Sequence, residues 1–63
     1  MFTRCFERTA FNSNTFTEIY QVINISEYGF ELYMDNIFVR SGLVDNLDET
    51  IEMLLDDGWE EVL

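Results

Sequence analysis

The chain contains no lysine, no histidine and no proline, and only one cysteine, Cys5. Without His or Lys, the side chains that most often serve as general base or Schiff-base nucleophile are missing, and no Ser or Cys stands in a recognisable nucleophile motif. A lone cysteine forms no intramolecular disulfide, which suits a reducing compartment. With only Arg4 and Arg8 nearby and no His to activate it, Cys5 reads as a plain, partly buried thiol. Three arginines, with no Lys beside them, make no basic cluster, so direct contact with a nucleic-acid backbone is excluded. No apolar run approaches the ~18 residues that span a membrane. The N-terminus shows no separate basic, apolar and cleavage regions, so no signal peptide is expected and the expected compartment is the cytoplasm.

What is abundant is negative charge. Thirteen carboxylates face the three arginines, a formal net charge of −10 over 63 residues. Residues 1–42 carry Glu7, Glu18, Glu27, Glu31 and Asp35 against Arg4, Arg8 and Arg40. Residues 43–63 carry Asp45, Asp48, Glu49, Glu52, Asp56, Asp57, Glu60 and Glu61 with no base at all. Such a field repels nucleic acid and anionic membrane and steers the chain toward cationic surfaces. The length fits a single domain, 1–63, with a thin core, since a chain of this size buries only about 60 % of its unfolded surface. Nearly half the residues are apolar and ten are aromatic, enough for a core without staples.

The pattern predicts a helix over 47–57. Asn46 is a good N-cap with Glu49 three residues on; Leu47, Ile51, Leu54 and Leu55 recur at helical spacing; Gly58 follows as a residue free to end the helix left-handed. Upstream, 30–41 reads as a β-hairpin about Asp35-Asn36. That register pairs Met34 with Ile37, Tyr33 with Phe38, Leu32 with Val39 and Glu31 with Arg40. It sets Phe30, Leu32, Met34, Ile37 and Val39 on one face. Residues 18–25 form a further strand, joined by Ser26-Glu27-Tyr28-Gly29, so that Ile25 meets Phe30 and Ile23 meets Leu32. Ile19, Ile23 and Ile25 then share the core face, and Trp59 to Leu63 either add a short strand or tie the tail down. The expected fold is α+β: a small antiparallel sheet, a meander of three to four strands, with one C-terminal α-helix packed on one face. Residues 1–16 fit neither period, and the sequence leaves them between an added strand and a short helix.

Chemistry finds little footing. Paired carboxylates suit glycosidase-type acid–base work, but that mechanism needs a cleft that excludes water, which so thin a domain hardly builds; an enzyme is not expected. Asp45, Asp48, Glu49 and Glu52 crowd the helix start, yet Asp45 to Asp57 lacks the alternating ligands, glycine and closing Glu of a calcium loop. No metal site and no cofactor are expected.

Two surfaces remain. On the helix Asp48, Glu52 and Asp56 follow i, i+4, i+8 with Glu49 alongside, and Asp57, Glu60 and Glu61 extend the array. Four helical residues advance ~6 Å, similar to the spacing of phosphates along one DNA strand. Met53, pointing away from the core stripe, and Trp59 are candidate apolar anchors within it. This pattern fits a small inhibitor that occupies the basic groove of a nucleic-acid-binding protein as a nucleic-acid mimic. A solvated face serving only solubility is the plain alternative for the acids. The second surface is the sheet face away from the helix, where Tyr20, Val22, Tyr33 and Phe38 form an apolar patch. It suits an accessory or regulatory protein acting as a homodimer or through a partner, and oligomeric state stays open.

In outline, three strands followed by the acidic helix Leu47-Asp48-Glu49-Thr50-Ile51-Glu52-Met53-Leu54 resemble the β-β-β-α antitoxins of the HicB type over residues 18–57, which implies a role as a binding partner. In size, acidity and lysine poverty the chain also looks like the small early proteins with which bacteriophages block host restriction, CRISPR or transcription machinery. Those proteins share no fold, so the likeness implies a function class and no particular residue.

Overall fold

The computed structural model describes residues 4–63. Strands β1 (Arg4–Asn12), β2 (Thr17–Ile25), β3 (Gly29–Met34) and β4 (Ile37–Leu43) run as an antiparallel meander. Helix α1 (Leu47–Asp56) follows, and a two-residue strand β5 (Glu60–Glu61) returns antiparallel to β1. The sheet order is β4-β3-β2-β1-β5. The segment the sequence left undecided is therefore a nine-residue strand from Arg4 onward, while Met1–Thr3 lie outside the described residues.

Local signals account for most boundaries. The β3–β4 turn places Asp35 and Asn36 at φ 51° and 66°, the left-handed pair a two-residue type I′ hairpin requires. Asp35 also ties the turn to β2, its carboxylate accepting from the Tyr20 N–H and its own N–H donating to the Tyr20 carbonyl. The helix starts where Asn46 Oδ1 accepts from the Glu49 N–H at 3.0 Å. It ends one residue earlier than expected, with Asp57 as C-cap and Gly58 at φ +90°. The Gly58 N–H donates to Leu55 O and the Trp59 N–H to Leu54 O, the two bonds of a Schellman motif.

The core is one layer between sheet and helix: Phe6 from β1, Ile23 and Ile25 from β2, Ile51 from α1, and Trp59. Phe30, Leu32, Val44, Leu47 and Leu54 pack around them. The β2–β3 register is as the sequence implies, Ile25 opposite Phe30 and Ile23 opposite Leu32.

The β3–β4 register differs from expectation past the turn. Met34↔Ile37 and Tyr33↔Phe38 hold, but a bulge then sets Leu32 opposite Arg40, Glu31 opposite Ser41 and Phe30 opposite Gly42. The reason lies at Gly42: a Cβ there would meet the Phe30 ring at 2.7 Å, so the ring is accommodated only where β4 offers a glycine. The expected Glu31–Arg40 pair is thus not formed. Arg40 lies on the helix side, its guanidinium 5.7 Å from the Phe30 ring centre, and Glu31 accepts instead from the Tyr33 hydroxyl. Ile37 and Val39, expected in the core, are 69 % and 46 % exposed at the sheet edge, where no helix covers them. Leu55 is likewise half-exposed, because it lies at the rim of the helix's apolar stripe.

Candidate functional site

Strand alternation divides the polar residues between the two sheet faces. On β1, Arg4 and Arg8 flank Phe6 on the helix side, opposite Ile25 and Gln21. Arg8 is the better connected. Its Nε donates to Gln21 Oε1 at 2.7 Å, its Nη1 donates to the Asp57 carboxylate at 2.6 Å and to the Asp57 carbonyl at 3.0 Å, and its guanidinium lies 4.6 Å from the Trp59 ring centre. Arg4 grips Glu61 with two hydrogen bonds, from Nε at 2.7 Å and Nη2 at 2.5 Å. That grip holds the Glu61 carboxyl below its ordinary value, first through the hydrogen bond, and holds the Arg4 guanidinium above its own. Asp48 lies near enough to favour the Arg4 charge as well.

Two of the candidate acids, Asp57 and Glu61, are therefore tied to arginines and fasten the helix end and β5 to the sheet. Asp48, Glu49, Glu52, Asp56 and Glu60 are exposed, and none makes an ion pair among the described residues. Asp48, Glu52, Asp56 and Glu49 fall within an arc of about 100° on α1, at 3.6 residues per turn. Met53, 66 % exposed, sits beside them as expected. Trp59 does not: it is 6 % exposed and part of the core, so it is no surface anchor. The cause is Gly58, whose left-handed turn folds the chain back so that the indole slips beneath Arg8.

The opposite face of the sheet is uncovered among the described residues. Val22, Tyr33 and Phe38 stand in one cross-strand row, continued by Glu7, and Tyr20 lies two positions along from Val22. The Tyr33 and Phe38 rings meet edge to face, 5.7 Å between centres. The Tyr20 hydroxyl donates to Glu7 Oε2 at 2.5 Å, and the Tyr33 hydroxyl to Glu31 Oε1 at 3.2 Å. Both phenols are pushed above their ordinary range, Tyr20 chiefly by its bond to Glu7 and Tyr33 chiefly by desolvation. Glu31 stands on this face beside Tyr33 and Phe38 as the sequence implies, though without Arg40; Glu7 and Glu18 were not singled out from the sequence. The cross-strand register that gathers them round the tyrosines is the only signal for them, and it becomes readable once β1 is known to be a strand.

Half-buried Cys5 also faces this side, opposite Asn24, and burial followed by Glu7 pushes its thiol up, away from the reactive thiolate. A cleft of about 520 Å³ lies between β1 and the helix end, lined by Glu7, Arg8, Tyr20, Asp57 and Glu60 among others. Its arginine is already committed to Asp57 and Gln21. Among the described residues no group of three or more potential ligands is placed to hold a metal ion, and no helix is long and apolar enough to cross a membrane. No family model, curated protein or solved structure matches the chain.

Proposed function

We propose that this protein is a small anionic inhibitor that binds the basic nucleic-acid groove of another protein and excludes DNA or RNA from it. The observation that carries this reading is the division of labour among the acids. Asp57 and Glu61 take up Arg8 and Arg4 within the fold, while Glu49, Glu52 and Asp56 project together from α1 with no cation paired to them among the described residues. Unanswered like charges one turn apart destabilise a helix by a few tenths of a kcal/mol per pair. An external cationic surface converts that repulsion into binding and gives fast, salt-sensitive association.

In this reading Asp48, Glu49, Glu52 and Asp56 make the contact, Met53 supplies an apolar point within it, and Asp57 and Glu61 hold the array in place. Glu60, expected to extend the array, is in register with Glu7 and turns to the opposite sheet face. A phage origin, with restriction, CRISPR or transcription machinery as target, fits the composition, and the site of action would then be the host cytoplasm. The test is capture from a bacterial lysate on the immobilised protein, eluted by a salt gradient in the presence or absence of duplex DNA or RNA. A nucleic-acid-binding protein released only at raised salt, and competed by nucleic acid, supports the reading. A partner held through high salt and indifferent to nucleic acid contradicts it.

A further inference from the structure

The sheet face away from the helix carries an ordered contrast that solubility does not explain. Its centre is the contiguous set Tyr20, Val22, Tyr33 and Phe38, with Tyr20 and Phe38 38 % and 51 % exposed. Round that centre the register sets Glu7 and Glu60 on one side, Glu31 and Glu18 toward the strand ends, and Asp35 at the turn beside Tyr20. All three cations of the chain lie on the other side: Arg4, Arg8 and Arg40 are in register with Ile25, Gln21 and Leu32 and face the helix layer. Two of the rim acids are held by tyrosine hydroxyls, so each carboxylate is positioned beside the apolar centre rather than loose in water. An apolar centre with a fixed acidic rim is the complement of an apolar stripe flanked by arginine or lysine.

We infer that this face docks an amphipathic helix of a partner protein whose apolar stripe is bordered by basic residues, laid across β2, β3 and β4 as a third layer. A helix suits the surface because one face of this sheet is already packed by α1 in the same manner. A second copy of this chain is a poor occupant. Stacking two such faces would oppose Glu7, Glu18, Glu31 and Glu60 to the same acids of a chain of net charge −10. An anionic membrane meets the same repulsion. The surface is distinct from the acidic side of α1, so the inference stands or falls apart from the function proposed above.

The experiment titrates the isotopically labelled whole chain with synthetic helical peptides of ~18 residues, five turns. One bears a leucine stripe flanked by arginines, a second keeps the leucines with glutamates in place of arginine, and a third keeps the arginines with alanines in place of leucine. The first is expected to bind saturably, with amide shifts centred on Val22, Tyr33 and Phe38, and the other two at least about tenfold more weakly. Phe38→Ser should weaken the first peptide about tenfold or more. Glu31→Gln, which leaves the apolar centre in place, should lower affinity and flatten its salt dependence even if Phe38→Ser disturbs the edge strand. The variant Glu49→Gln/Glu52→Gln/Asp56→Asn should bind as the parent does. Shifts centred on α1, equal binding of the alanine–arginine peptide, no saturable binding, or a self-dimer dissociated by Phe38→Ser would each overturn the inference.

Discussion

Arg8 touches a carboxylate, a carbonyl, a glutamine and an indole at once, and shows what three cations do in a chain of thirteen acids. The Arg8–Asp57 ion pair itself is half in water and adds at most about 1 kcal/mol; the larger contribution is the cover the guanidinium gives Trp59. Trp59→Ala should therefore destabilise the fold by about 3–5 kcal/mol, whereas Met53→Ala should stay within about 0.5 kcal/mol, both read from urea unfolding. Equal effects would mean that Trp59 is not the core residue described. Arg4 and Glu61 make a pH statement. The Glu61 carboxyl is held below its ordinary 4.5, so its contribution to stability is present above 4.5 and fades as pH falls through the lowered folded value. Arg4→Gln should return Glu61 toward 4.5 in a side-chain NMR titration. On the far face Tyr20 should ionise above its ordinary 10 and move down in Glu7→Gln, monitored by tyrosine absorbance; an unmoved Tyr20 would contradict the Glu7 bond.

At the scale of elements, what was legible in the sequence follows from how local each signal is. The helix was readable because Asn46, the stripe Leu47-Ile51-Leu54 and Gly58 act within a dozen residues, and each is found in the role its chemistry implies. The β3–β4 turn was readable for the same reason, Asp35 and Asn36 both tolerating positive φ. β1 was not, because its helix-side positions read Arg4, Phe6, Arg8, Ala10, and only Phe6 is buried. The arginines fill the places where apolar residues would announce a strand, reaching over to Glu61, Asp57 and Trp59 at the far end of the chain. The bulge was hidden too, since it answers to a contact between Phe30 and Gly42 on different strands. Gly42→Val is expected to destabilise by about 1–3 kcal/mol through overpacking against Phe30. Gly58→Ala should lose about 1 kcal/mol by straining the left-handed cap. Chemical denaturation checks both, and a neutral Gly42→Val would contradict the crossing of ring and glycine.

The whole molecule is a thin two-layer domain with charge sorted by surface. Arg4 and Arg8 bind the chain's returning end to the helix side of the sheet, and Arg40 lies exposed on that same side at the edge strand. The far side of the sheet and the outer side of the helix carry acids without arginines. Of the candidate site, the acidic helix face was visible in sequence because i, i+4 spacing reports a helix surface directly. The burial of Trp59 and the engagement of Asp57 and Glu61 were not, because all three depend on how the tail returns to β1. Self-repulsion at this charge should yield to screening. Raising NaCl from about 10 to about 150 mM shortens the Debye length from about 30 to about 8 Å, and Tm is expected to rise with it. A falling Tm would mean that the two ion pairs outweigh the repulsion.

The central claim is that the acids of α1 serve recognition and not folding. Its most direct test is displacement of nucleic acid from the captured partner by the intact protein and by Glu49→Gln/Glu52→Gln/Asp56→Asn, which leaves the Arg8–Asp57 and Arg4–Glu61 pairs in place. The account predicts that the parent displaces duplex DNA or RNA in a salt-dependent manner. It predicts that the variant, folded and at least as stable, loses roughly tenfold or more in affinity. Undiminished displacement by the variant would contradict it and leave the acids of the helix as a solvated face alone.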